Sequence, residues 1–159
     1  MRLILGIIGL WLFAGCASST VTPVSKNEFM LDTSGEAMCG RSGTVKVATK
    51  MAAVETIRAG YDGYIILNTQ SQNNVQVVQT APYGASTSST YYGSGNTTYG
   101  QSNTTFYGGD PMILGEYSER LLVRMFRRNE ESFANAVDAR EYLGDGWAEL
   151  VESGVRTCT

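Results

Sequence analysis

Read for hydrophobic and polar positions alone, the chain begins with an apolar run from Leu3 to Phe13 (LILGIIGLWLF) behind Met1-Arg2. As a helix, that run spans only about half of a ~30 Å hydrocarbon core, so it suits a signal-peptide core better than a membrane span. Thr44 to Ala59 carries Val47, Met51, Val54 and Ile57 at helical spacing with Ala48 and Ala52 beside them, which predicts a helix. Ser42 or Thr44 suits its start and Gly60 the left-handed position past its end. Tyr64–Leu67 reads as a buried strand and Val75–Val78 as a second, joined through a turn at Gln70–Asn74 into a hairpin. Asn27–Asp32 is expected as a short strand that Thr33-Ser34-Gly35 breaks. Glu119–Arg127 alternates Leu121, Val123 and Met125 with a mixed face, as a half-buried strand does. A helix is expected from Ser132 to Leu143, burying Phe133, Ala136, Ala139, Tyr142 and Leu143. Trp147, Leu150 and Val151 make a short apolar stripe that Gly154 ends. Together these elements predict an α+β fold: a small antiparallel sheet of three to four strands packed by two or three helices, besides a signal helix at the amino terminus.

Between residues 82 and 111 the periodicity disappears. PYGASTSSTYYGSGNTTYGQSNTTFYGGDP carries no charge before Asp110, and Tyr92–Tyr99 repeats as Tyr99–Phe106 with a period of seven. So long a stretch without a core-forming pattern is expected to be a disordered or loosely ordered insert. Its aromatics, Tyr83, Tyr91, Tyr92, Tyr99, Phe106 and Tyr107, are candidates for stacking on sugars, peptidoglycan strands or a partner protein. An inert low-complexity insert is the competing reading.

After the apolar run comes Phe13-Ala14-Gly15-Cys16. This resembles the lipobox of bacterial lipoproteins, with Phe13 standing where the family usually has Leu. The resemblance covers residues 1–16 and implies that Cys16 becomes a lipidated first residue after removal of 1–15. Several acyl chains on one residue hold stably to a bilayer, where a single chain does not. In the family, Asp after the Cys favours inner-membrane retention. Ala17 stands there in this chain, which implies the periplasmic side of the outer membrane in a Gram-negative host. Residues 16–26 (small, polar, with Pro23) are expected as a lipidated tether, and 27–158 as one domain carrying the insert. The Ala-rich helix running through Gly60-Tyr61-Asp62 into Ile65-Ile66 resembles small uncharacterised proteobacterial envelope lipoproteins; that likeness implies a compartment and a fold, and no chemistry.

Composition narrows the function. The net charge is −3 and Arg2 is the only charge in the signal segment, so the rest is more acidic still. Without a basic block, nucleic acid is not an expected partner. The membrane is expected through the lipid, with an envelope protein or peptidoglycan as a further partner. With Cys16 lipidated, Cys39 and Cys158 remain, and an oxidising compartment favours a disulfide between them. Two buried thiols or a redox pair are the alternatives, although Cys-x-x-Cys is absent. The chain has no histidine, which removes Ser-His-Asp and Cys-His catalysis and His-ligated metal sites. No cofactor is expected. Among carboxylates, Glu130-Glu131, Asp138-Glu141 and Asp145-Glu149 read as solvated faces. Asp62, between Gly60 and Gly63, is the most site-like, and its bland reading is a turn residue bonding nearby amides. The expected function is therefore a non-enzymatic, membrane-anchored binding or assembly module. The alternatives are a carboxylate-dependent enzyme acting on cell-wall carbohydrate and a redox or stress sensor using Cys39 and Cys158.

Overall fold

A computed structural model describes residues 16–158; the signal segment expected at 1–15 lies outside the described residues. In chain order the elements are β1 (Ala17–Ser25), β2 (Glu28–Glu36), a 3-10 turn at Ala37–Cys39, α1 (Gly40–Arg58), β3 (Gly63–Asn73), β4 (Gln76–Gln79), β5 (Gly84–Ser94), β6 (Thr97–Tyr107), β7 (Pro111–Leu114) and β8 (Glu116–Phe126). A 3-10 turn at Glu131–Asn135, β9 (Val137–Asp138), α2 (Ala139–Leu143) and α3 (Trp147–Ser153) complete them. The class is α+β with antiparallel pairing throughout. Two compact units divide the described residues: one holds those through Asn73 and from Glu116 onward, the other Asn74–Gly115.

The first unit is a five-stranded sheet, β1-β2-β8-β3-β9. Side chains alternate across a strand, so Phe29, Leu31 and Thr33 of β2 and Leu121, Val123 and Met125 of β8 share one buried face. Tyr64 of β3 joins them, and Val47, Ala48, Met51, Ala52 and Val54 of α1 cover them. The stripe on α1 is the one its spacing predicts. Ala48 and Ala52 bring helix and sheet together, and at the top of β2 a Cβ on Gly35 would collide with Thr44 Oγ1. The helix starts at Gly40 rather than near Thr44, and no side chain caps it. Its end follows the expected pattern: Gly60 has φ +81° and the Tyr61 amide donates to the Thr56 carbonyl at 3.0 Å.

Several expectations change. The segment expected as a tether is β1, an edge strand registered against β2 from Ala17↔Gly35 to Ser25↔Glu28. Its Ser and Thr side chains suit an edge whose outer row meets water, and Ser19 hydrogen-bonds Thr33 across the pair at 2.9 Å. Thr33-Ser34-Gly35 does not end β2, because Gly35 is where the helix needs close approach. β3 runs through the expected turn to Asn73, with a bulge at Leu67, which is exposed rather than buried. β3 and β4 do not pair with each other: β3 pairs with β8, and β4 with β7. The expected helix from Ser132 is a 3-10 turn, then β9, then a single α-helical turn begun by Asp138, whose Oδ1 accepts the Arg140 and Glu141 amides. Of its five expected core residues, only Ala139 is buried.

The second unit replaces the expected disordered insert. β5 and β6 form a hairpin in unbroken register over eleven pairs, from Gly84↔Tyr107 to Ser94↔Thr97. The two-residue turn has Gly95 at φ +60° followed by Asn96, the arrangement that matches the twist of a hairpin. β4 and β7 form a second short ribbon, Gln76↔Leu114 to Gln79↔Pro111. The Thr80 hydroxyl donates to the Asp110 carbonyl at 2.9 Å at the junction of the two ribbons.

Candidate functional site

Three sets of sequence-predicted residues are brought to definite places. The first is the cysteine corner. Cys39 and Cys158 form a disulfide, Cα–Cα 5.4 Å, closing a separation of 119 residues. It joins the start of α1 to the carboxyl-terminal tail, and Cys158 packs onto Gly43, where an added Cβ would lie 2.9 Å from the Cys158 Cβ. Both sulfur-bearing residues are half-buried. Cys16 is a free, exposed thiol. Its carbonyl accepts the Glu36 amide at 3.0 Å and lies 3.2 Å from Cys39 Sγ, so all three cysteines sit at one corner. The Ala17 amide reaches the Arg156 carbonyl at 3.2 Å, fastening the start of β1 to the tail. Met38, in the same turn as Cys39, is 94% exposed.

The second is a charge cluster around Asp62. Asp62 Oδ2 accepts the Arg128 amide at 3.0 Å and Oδ1 pairs with the Arg140 guanidinium at 2.9 Å. The Arg128 guanidinium in turn pairs with Asp138 Oδ2. The Arg128 amide and the nearby guanidinium groups hold the Asp62 carboxyl below the usual carboxylate range, outweighing its slight desolvation. A general acid needs the opposite shift, and both aspartates are already engaged by arginine. The cluster instead fastens β9 and α2 to the end of β3, helped by the Ala139 amide donating to the Asp62 carbonyl at 2.9 Å. Asp62 is thus a bonding residue, but not a turn residue holding nearby amides: its side-chain partners are 66 and 78 residues away. Of the remaining pairs, Glu130 accepts the Arg127 amide at 3.1 Å, while Glu131, Asp145 and Glu149 are exposed. No group of three His, Cys, Asp or Glu among the described residues is placed to hold a metal ion.

The third is the ribbon. Tyr83, Tyr91, Tyr92, Tyr99, Phe106 and Tyr107 are 53–79% exposed, so none serves a core. They do not form one platform. The register places Tyr92, Tyr99 and Tyr107 on one face and Tyr91 and Phe106 on the other. The seven-residue repeat explains this: an odd step along a strand reverses the face, so Phe106 lies opposite to Tyr99. Tyr91 lies over Gly100 and Tyr107 over Gly84, each directly across the pair, where the missing Cβ leaves room for a ring. Tyr83 meets Tyr107 edge to face at 6.3 Å.

Two further features escaped the sequence. Glu119 is 5% exposed on the helix-covered face of β8, and both its oxygens accept hydroxyls, from Thr69 and Ser71, at 2.5 Å each. Only the β3–β8 register puts these side chains together; the alternation of Thr69 and Ser71 is the faint signal. The second is a cavity of about 520 Å³ between β1, α1 and the tail, with Glu55 and Arg58 in its lining. Arg58 spans it, pairing with Glu55 at 2.6 Å and donating to the Val151 carbonyl at 2.8 Å.

Comparison with known proteins adds no relative: no family model, no curated protein and no solved structure matches the chain. The class is therefore the one that the fold defines, an α+β domain closed by a disulfide and bearing an uncharged β-hairpin.

Proposed function

We propose that this chain is a lipid-anchored module of the cell envelope that binds or assembles with a partner through the ribbon of residues 74–115. The observation that carries the binding half is the ribbon itself. Its β5–β6 hairpin displays five exposed aromatics on regular strands, with the exposed Tyr83 just before them, and carries no charge and no core of its own; exposed aromatic surface of this kind suits recognition. An envelope protein or peptidoglycan fits that chemistry. The anchoring half rests on the lipobox-like Phe13–Cys16. The corner supports it: Cys16 is exposed, and β1 starts at the next residue. A lipid there holds the domain flush against the bilayer rather than on a lead, with the apolar Met38 at the same corner. Ala17 after the cysteine points to the outer membrane.

The test is photocrosslinking in intact cells from Tyr92 and from Phe106, which face opposite ways. The expected result is a discrete adduct from at least one face, weakened from Tyr92 by Tyr99→Ser and from Phe106 by Tyr91→Ser, the neighbours on the same faces. The absence of any discrete adduct from both faces contradicts the binding half.

A second reading, a redox or stress sensor, has a specific bond behind it, since the Cys39–Cys158 disulfide that it requires is formed. Cys16, if left unlipidated, places a third sulfur-bearing residue beside Cys39. The bond by itself suits either reading, because the packing of Cys158 on Gly43 and the fastening of β1 to the tail are also what a structural clamp needs. The carboxylate-enzyme reading has less behind it, as Asp62 and Asp138 are both engaged by arginines.

A further inference from the structure

From Gly63 to Gly109 the chain has no Asp, Glu, Lys or Arg. The β5–β6 hairpin lies wholly inside this span, and each of its strands pairs only with the other. Each therefore presents an outer edge of eleven residues, about 35 Å of hydrogen-bonding groups. Exposed edges in monomeric proteins are guarded by lysines, prolines, bulges or short length. Here both strands lack charge and proline, the register is unbroken, and the residues are mostly Ser, Thr and Tyr. A two-stranded ribbon is marginal on its own in water. The neighbouring β4–β7 ribbon adds to the need for cover. It shows Val77 and Ile113 on one face and Val78, Met112 and Leu114 on the other, all exposed.

We infer that the β5–β6 ribbon pairs edge to edge with the same ribbon of a second copy of this chain, forming a continuous antiparallel sheet; this rests on the binding-module reading above and names its partner.

Three observations choose this occupant. Between the aromatics near the turn (Tyr91, Tyr92, Tyr99) and those near the base (Phe106, Tyr107), the strands carry only Ser, Thr, Asn, Gln and Gly, apart from Ala85. A bilayer needs an apolar band on one face there, so lipid is a poor partner. With no charge on the ribbon, a charged groove gains nothing from it. A second copy supplies an edge of matching length and neutrality, and antiparallel pairing across a two-fold axis is self-complementary. The cross-strand hydroxyl contact within the hairpin, Thr87 Oγ1 to Thr104 Oγ1 at 2.9 Å, is the kind that such a junction repeats. Anchoring on a membrane raises the local concentration that favours the pairing.

The test uses the full-length chain, purified in detergent, and compares it with the double variant Ser88→Lys, Ser102→Lys, which puts one charge on each strand and on opposite faces. Sedimentation should find a dimer or larger species for the native sequence and an apparent dissociation constant about tenfold weaker or more for the variant. Unfolding of the disulfide-closed unit should not shift. In intact cells, a photocrosslinking residue at Gln101 should give a homodimer and one at Lys46, on the exposed side of α1, should not. This second arm holds even if the variant disturbs the hairpin. A monomer at every concentration, equal dissociation of both proteins, homodimers from Lys46 alone, or a ribbon protease-protected in phosphatidylethanolamine–phosphatidylglycerol vesicles as a monomer would each overturn the inference. If the monomer's Gln101 crosslinks instead to a different envelope component, self-pairing falls and the binding-module reading stands. A monomer that crosslinks to nothing removes both.

Discussion

At the residue scale, Asp62 shows what spacing conveys and what it leaves out. Its setting between two glycines marked it as either a site or a turn, and a bonding role is what the structure gives it. Its partners, Arg128 and Arg140, lie 66 and 78 residues away, so no local pattern could name them. Because its carboxyl is held below the ordinary value, the stabilisation it gives is present above the unfolded value of about 3.9 and is lost as pH falls through the folded one. Asp62→Asn should therefore lower stability by about 1 kcal/mol at pH 7, a scale set by the partial exposure of the pair. Thermal unfolding from pH 7 to pH 2 should show the two proteins converging at the acid end; a constant gap would contradict the assignment. Tyr64 is read more directly. Its apolar neighbours predicted burial, and burial pushes its phenol well above the usual value, so it stays protonated and donates to the Thr49 carbonyl at 3.3 Å. Glu119 is the counterexample, a carboxylate that composition places outside and tertiary register places inside.

At the element scale, legibility follows burial on one face. The α1 stripe and the alternation of β8 each serve a core on one side, and both were readable to within a few residues. β1, β5 and β6 have little or no buried face, so no alternation of apolar and polar residues records them. They form because Thr, Tyr and Ser suit extended backbone beside a partner, and because Gly95-Asn96 sets the hairpin turn. β4 and β7 fail differently. Val75–Val78 is legible as a strand, but its partner Pro111–Leu114 lies beyond the polar tract, so the sequence points to the nearer β3 instead. The disulfide is legible from the parity of the cysteines once an oxidising compartment is expected, and its neighbours show why it matters: it ties α1 to a tail that carries no strand of its own. Closing a loop of this length is worth about 4–5 kcal/mol in the chain-entropy model. Titration of the purified protein against dithiothreitol should place its reduction potential below about −300 mV, as for a structural bond. A markedly higher potential would favour the sensor reading instead.

At the scale of the whole molecule, the account joins an anchor to a binding surface. The net charge of −3 gives the chain no overall attraction to an anionic bilayer, and no helix among the described residues is long and apolar enough to cross one, which says nothing of strands. Lipid on Cys16 would supply the attachment. The start of β1 at the next residue changes what that attachment does, since the expected lead of residues 16–26 is folded into the sheet. The cysteine corner, not a flexible tail, is then the part that meets the membrane. Anchored copies of the chain would be held together in two dimensions. The anchoring half of this picture depends on the fate of Cys16. The most direct measurement is intact and peptide mass spectrometry of the full-length chain expressed in a Gram-negative cell and extracted from its membranes. The account predicts a protein that begins at Cys16 and carries a diacylglyceryl group and an amide-linked acyl chain, with Cys39 linked to Cys158. A membrane-extracted protein that retains residues 1–15, or that begins at Cys16 with a free thiol, would contradict it.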